Sequence, residues 1–154
     1  MPNLRVAKFG GTSVADYDAM VRCAKIIGSD EANRVVLVSA SAGVTNLLVK
    51  LSNGKLAQSE IDQSINEIGQ IQSSIINELK QPTIVKSKVA NLLEQLKLEV
   101  EAQSEQVCPA RADHILSFGE LMSSTVFTQV LLETGVNAQW FDVKTIMKTN
   151  SLYG

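Results

Sequence analysis

A short apolar run, a turn of small residues and an amphipathic helix follow one another twice within about the first fifty residues, and few architectures accept that order. Leu4 to Phe9 is apolar apart from Arg5 and Lys8 and is closed by Gly10 and Gly11, which predicts a strand ending in a tight turn. Thr12, Ser13 and Asp16 are each suited to cap the next helix, whose Met20, Ala24 and Ile27 recur at helical spacing before Gly28 supplies a stop. The second unit begins at Arg34 to Ser39. Val35, Val36, Leu37 and Val38 leave no polar face, as in a strand covered by helices on both sides, so this strand is expected at the centre of a sheet. Ala40 to Gly43 forms its turn, and Val44 or Thr45 opens a helix carrying Leu47, Leu48 and Leu51 that ends near Asn53 and Gly54. The repeated order predicts an α/β fold with a mainly parallel sheet.

The middle third changes character. Ile61, Ile65, Ile68, Ile71, Ile75 and Leu79 keep a helical period, and beyond Gln81 and Pro82 so do Val85, Val89, Leu92, Leu96 and Val100. Two antiparallel helices are predicted, packed on the domain along one stripe and serving as scaffold. Gly69 inside the first costs about 1 kcal/mol relative to alanine. A third, largely buried helix is predicted over Asp113 to Glu133, capped by Gly135, and Val136 to Val143 reads as a further strand with Trp140 and Phe141 in the core, leading into Lys144 to Asn150.

With 154 residues, 45% of them apolar and 19% charged, the chain can bury the core of one domain, and disorder along its whole length is excluded. A net charge of −2 gives no electrostatic footprint for a nucleic-acid backbone. Two cysteines and one histidine are too few for a zinc cluster, so no metal site is expected, and free thiols suit a reducing cytosol. No continuous apolar run approaches the roughly 18 residues of a membrane span, and Met1 to Phe9 lacks the apolar region of a signal peptide. A cytoplasmic protein with no membrane partner is expected.

Residues able to do chemistry collect at the strand ends, where open parallel sheets bind ligands. Lys8 stands there, followed by Phe9, Gly10, Gly11, Thr12 and Ser13 and a helix start. Glycines let the backbone approach a phosphate closely, the helix N-terminus offers unbonded N–H groups with partial positive charge, and Lys8 adds a full one. The order is neither that of a Walker A loop, whose lysine follows its glycines, nor that of a Gly-x-Gly-x-x-Gly dinucleotide turn. A plain glycine turn beside a solvated lysine is the alternative. Ser39, Ala40, Ser41, Ala42, Gly43 and Thr45 make the second turn, on the same sheet edge. Hydroxyls and amides there suit a carboxylate or phosphate, with helix capping by Thr45 and turn geometry for the serines as the alternative.

Glu120 is the third candidate. At helical spacing Ser117, Ser123 and Ser124 share its face, with Asp113 further back, and no Lys or Arg occurs between Arg111 and Lys144. A partly buried carboxylate needs a cation, so Glu120 calls for a ligand ammonium, a lysine from elsewhere in the fold, or plain exposure. His114 is unaccompanied by a nucleophile on a strand elbow and is expected to be satisfied or exposed. Cys23 is expected as a small core residue and Cys108 in a loop.

Together these segments resemble the aspartokinases. Lys8, Phe9, Gly10, Gly11, Thr12, Ser13 and Val14 are similar to that family's opening motif, and Val38 through Asn46 (Val-Ser-Ala-Ser-Ala-Gly-Val-Thr-Asn) to its second loop. Ser117, Phe118, Gly119, Glu120, Leu121 and Met122 follow in order, then Gln139, Trp140, Phe141 and Asp142, and the likeness runs through the whole chain, nearest the monofunctional lysine-sensitive branch. The resemblance implies the amino acid kinase fold, a three-layer α/β/α sandwich with a mainly parallel sheet. Residues 1–154 would be the N-terminal part of its catalytic domain, with a helical hairpin at about 60–102.

It also implies transfer of the γ-phosphoryl group of ATP to the β-carboxylate of L-aspartate, giving 4-phospho-L-aspartate for lysine, threonine and methionine biosynthesis. Lys8, Phe9, Gly10 and Gly11 would hold the phosphates, Lys8 stabilising the group in transit, while Ser39, Thr45 and Glu120 would bind aspartate, Glu120 at its α-ammonium. Mg²⁺ would arrive with the nucleotide. Family members continue with a second half of the kinase domain, carrying an aspartate-binding arginine region and most of the adenine and ribose pocket, and with regulatory ACT domains. Little or no activity is therefore expected of this chain alone, and the complete enzyme could be a homo-oligomer. Two other readings remain: a noncatalytic binding or assembly module that uses the helical hairpin, and another amino acid kinase acting on a different carboxylate or carbamate.

Overall fold

The computed structural model describes residues 4–54, 56–103 and 108–147. In chain order its elements are β1 (Arg5–Phe9), α1 (Tyr17–Gly28), β2 (Asn33–Val38), α2 (Val44–Ser52), α3 (Gln58–Ile76), α4 (Thr83–Glu101) and α5 (Pro109–Glu133), with 3-10 turns at Gly11–Val14 and Val143–Thr145. β1 and β2 pair in parallel, Lys8 opposite Leu37 and Phe9 opposite Val38. Both strands therefore end together, and the loops that follow them leave from one edge. Parallel neighbours need a crossover, which α1 provides. Of the three candidate caps, Asp16 does the capping: its carboxylate accepts from Ala19 N at 2.7 Å.

Side chains alternate across the sheet. Ala7, Phe9, Val36 and Val38 pack against the core, much of which α5 supplies through Ile115, Phe118, Met122, Val126, Phe127 and Val130. Val6, Val35 and Leu37 occupy the alternate positions and remain 58%, 43% and 46% exposed. The expectation of a central strand covered on both faces is thus corrected. Among the described residues β2 pairs only with β1, and the buried cluster covers one face of the pair.

The strand expected over Val136 to Val143 does not form either; this stretch is irregular and runs into the 3-10 turn, where the Asp142 carboxylate accepts from Lys144 N at 3.0 Å. A cleft of about 460 Å³, lined by Val35–Val38 on one side and Val136–Phe141 on the other, separates it from β2, so it makes no ladder. Trp140 and Phe141 are consequently exposed rather than core, and the Trp140 indole N–H donates to Ser124 Oγ at 2.9 Å.

α3 and α4 form the expected hairpin. They pack along one stripe, with Ile61, Ile68 and Ile75 of α3 and Val85, Val89, Leu96 and Val100 of α4 buried. One end is fastened by Glu133 at the end of α5, whose carboxylate oxygens accept from Lys80 N and Gln81 N, each at 2.9 Å. At the other end Lys97 Nζ meets Asp62 Oδ1 at 2.6 Å and Gln58 donates to Glu101 at 2.8 Å. α5 starts at Pro109, four residues before the sequence pattern suggests, because proline is well suited to a first helical position whose N–H would be unbonded. By length and composition α5 could cross a membrane, yet its apolar stripe here is core. Cys23 is buried with Sγ 3.2 Å from Ser13 O, and burial pushes its thiol up against the opposing pull of Arg22. Cys108 is exposed just before α5. His114 is exposed too, its ring edge-on to Phe118 at 5.2 Å.

Candidate functional site

Phe9–Gly11, Ser39–Gly43 and the Ser117–Ser124 stretch of α5 meet at the carboxyl edge of the sheet. Ser39 N donates to Phe9 O at 3.0 Å, which carries the strand pairing one step into the loops. The loops touch next at Gly11, where a Cβ would lie 2.8 Å from Ala40 O, closer than a side chain tolerates. Gly10 differs: nothing stands within 4 Å of its Cβ position, so the space beside it is open. Phe9 is anchored from below by an edge-on contact with Phe127 at 6.1 Å.

α5 approaches this edge through a glycine. A Cβ at Gly119 would fall 2.6 Å from Ala40 Cβ and 3.0 Å from Leu48 Cδ1, so the helix lies against the second loop only because that position has no side chain. One residue on, Glu120 Oε1 accepts from Ala40 N at 3.3 Å, and Ser123 Oγ donates to Ser39 O at 2.8 Å. These two bonds fix the Ser39–Ala40 segment from the helix side while Glu120 itself stays exposed. Ser123 is fully buried, so it clamps the loop while Glu120, on the same helix face by spacing, remains exposed.

The structure thus brings Phe9, Gly10, Gly11, Ser39 and Glu120 into one constellation. Lys8 is exposed on β1 opposite Leu37, immediately before it. Thr45 is exposed in the first turn of α2; Gly43, at a left-handed φ of 87°, precedes that helix, and Thr45 makes no capping bond. Among the described residues neither the Lys8 ammonium nor the Thr45 hydroxyl is hydrogen-bonded to the chain, and no direct bond joins either to Glu120. The edge offers a lysine, glycine amides opening a 3-10 turn, the N-terminus of α2 and an accepting carboxylate. Anionic oxygens are favoured at one end and an ammonium at the other.

The sequence places Ala40 in a loop whose amides suit a carboxylate and Ser123 on the face of Glu120, but it does not show that the carboxylate on Ala40 N is that of Glu120, that Ser123 clamps Ser39, or that Lys144 takes part. Lys144 Nζ reaches Ser117 Oγ at 3.3 Å and brings a cation to the turn of α5 that precedes Glu120, so the face is less bare of positive charge than the chain order implies. A glycine next to a glutamate within a helix was the available signal for a close approach; nothing local marks Lys144. Among the described residues no group of three His, Cys, Asp or Glu side chains converges as a metal site would require.

The profile of the amino acid kinase family matches residues 3–152. Lysine-sensitive aspartokinase 3 of Escherichia coli K12 is 45% identical over all of this chain, which covers 34% of that protein. A stretch of 54 residues, 35% of this chain and 45% of the relative, is 70% identical to a Haemophilus influenzae protein named as a suspected inactive aspartokinase 3. Among solved structures, E. coli aspartokinase III in complex with lysine and aspartate superposes with a TM-score of 0.94 at 45% identity, covering 99% of this chain and 34% of that one. The complex of the same E. coli enzyme with aspartate and ADP gives 0.91, covering 96% and 33%. The chain spans about a third of the length of these E. coli relatives.

Proposed function

The chain belongs to the amino acid kinase family, and from that premise we propose that it is the N-terminal part of an aspartokinase catalytic domain, working in the cytoplasm. The observation that carries the proposal is the seating of Glu120 on the Ala40 amide beside the glycine loop that follows Lys8. In this reading Gly10 and Gly11 present backbone amides to the ATP phosphates, and Lys8 offsets the charge that builds on the transferring group. Ser39 and Thr45 contact aspartate, and Glu120 receives its α-ammonium. Phosphoryl transfer asks a protein mainly for positioning and charge neutralisation, which these groups supply in part. When bound with the nucleotide, Mg²⁺ supplies the remaining neutralisation. The reading is supported by the aspartate and ADP named in the E. coli complexes that share this fold.

The exposed Val6, Val35 and Leu37 extend the proposal to architecture. An apolar sheet face of this kind is what the missing layer of a three-layer sandwich would cover. In relatives about three times as long, further sequence is present to supply that layer and complete the site. The chain by itself is accordingly expected to bind ligands weakly and to turn over little aspartate.

Thermal shift with Mg·ATP and with L-aspartate tests the roles separately. Lys8→Ala should abolish the response to nucleotide and spare that to aspartate, and Glu120→Gln should do the reverse. No response of the unsubstituted chain to either ligand would favour an assembly module, and a preference for glutamate or acetylglutamate would move the activity to another amino acid kinase.

A further inference from the structure

The cleft of about 460 Å³ beside β2 is walled by chain on both sides, Val35–Val38 facing Val136–Phe141, while Ile27, Phe127 and Leu131 line it from α1 and α5. None of its lining residues is charged, and none comes from β1. It therefore runs along the edge of β2 that β1 does not occupy.

Backbone groups along a strand point alternately to its two edges. Ser39 N donates to Phe9 O, and the β1–β2 register is regular from Val35 onward, so the amides of Val35 and Leu37 turn toward β1. Those of Val36 and Val38 turn toward the cleft. Among the described residues β2 pairs only with β1, which leaves this second row of N–H and C=O groups without a ladder. Across the cleft, no backbone group of Asn137–Phe141 bonds to the backbone of another described residue. Two unpaired rows thus face each other over an uncharged gap, and a strand entering between them gains main-chain bonds on both sides.

We propose that this cleft is an acceptor slot for one uncharged, apolar strand, which pairs with Val36 and Val38 on one side and with Asn137–Phe141 on the other. Its source is the remainder of the kinase domain, present in relatives of which this chain covers 34%. Filling the slot makes β2 an interior strand, as its apolar run requires, and gives Val136–Val143 the ladder its composition suits. The inference rests on reading this chain as one part of a longer kinase domain, and it is independent of which carboxylate that domain phosphorylates.

Amide hydrogen exchange, followed by NMR on the chain alone and on the chain co-expressed with the unmatched remainder of E. coli lysine-sensitive aspartokinase 3, tests it. Alone, Leu37 should exchange more slowly than Val36 and Val38. In the complex, Val36, Val38 and amides within Asn137–Phe141 should slow by about tenfold or more, and emission from Trp140, the sole tryptophan, should move to the blue. Phe141→Asp sets a charge on a wall that has none; because Phe141 is 59% exposed, the urea midpoint of the isolated chain should not change, while capture of the remainder should be lost. Equal protection of Val36, Leu37 and Val38 in the isolated chain would show that the edge is already closed. That result, a complex in which Val36 and Val38 exchange as before, capture indifferent to Phe141→Asp, or no complex at all would each overturn the slot. A preference for another substrate in the thermal-shift assay would leave every one of these readouts unchanged.

Discussion

Two glycines inside helices should respond oppositely to the same substitution. At Gly69 the nearest foreign atom to an added Cβ is Leu93 Cδ1 at 3.4 Å, an ordinary contact. Gly69→Ala should therefore stabilise the chain by about 0.5–1 kcal/mol through helix propensity alone, read by urea unfolding. At Gly119 the added carbon meets Ala40 Cβ at 2.6 Å, and overpacking outweighs the same propensity gain. Gly119→Ala should be destabilising by about 1–3 kcal/mol and should push α5 off the second loop. Glu133 sets the acid limit of the hairpin. Burial alone would raise its carboxyl, but the bonds from Lys80 N, Gln129 and Gln81 N prevail and hold it below its ordinary value. A group depressed in the folded state contributes stability above its unfolded value, near 4.5, and that contribution fades as pH falls through the folded one. Glu133→Gln should flatten the loss of unfolding free energy below about pH 5, while lowering stability at pH 7 by no more than about 1 kcal/mol, because solvent screens these bonds and the glutamine oxygen can keep one of them.

At the scale of elements, the parts that local chemistry decides were legible in the sequence. Glycines and an aspartate placed the end of β1 and the start of α1, and a period of three to four residues placed the α3–α4 hairpin. Removing the Asp16 cap by Asp16→Ala should destabilise by about 1 kcal/mol, with early loss of amide protection in the first turn of α1. The failures share a cause. Val35 and Leu37 carry the pattern of a strand buried on both faces, a pattern that states a need for partners without supplying them. Val136 to Val143 has strand composition but stands across a cleft from the ladder it would join. Ser123 lies one turn from exposed Glu120 yet is fully buried with its hydroxyl on Ser39 O, while Glu120 reaches Ala40 N from an exposed position. Helical spacing gives direction around an axis; where the neighbouring loop ends is a tertiary fact.

For the whole molecule, the architecture sets the candidate site at the edge of a sheet whose second face is open among the described residues. Because Leu37 is exposed and lies outside the core, Leu37→Thr should change the unfolding free energy of this chain by less than about 0.5 kcal/mol, read by urea unfolding. The same residue would be costly to change wherever a second layer covers it. The central claim is that the first two strand ends and α5 form one place for an amino acid and a nucleotide tail. Following backbone amide shifts during an L-aspartate titration addresses it most directly. The account predicts perturbation centred on Ala40, whose N–H Glu120 accepts, with Ser39 and Thr45 moving alongside and Glu120→Gln erasing the pattern. Shifts confined to the α3–α4 hairpin, or a pattern unchanged by Glu120→Gln, would contradict it.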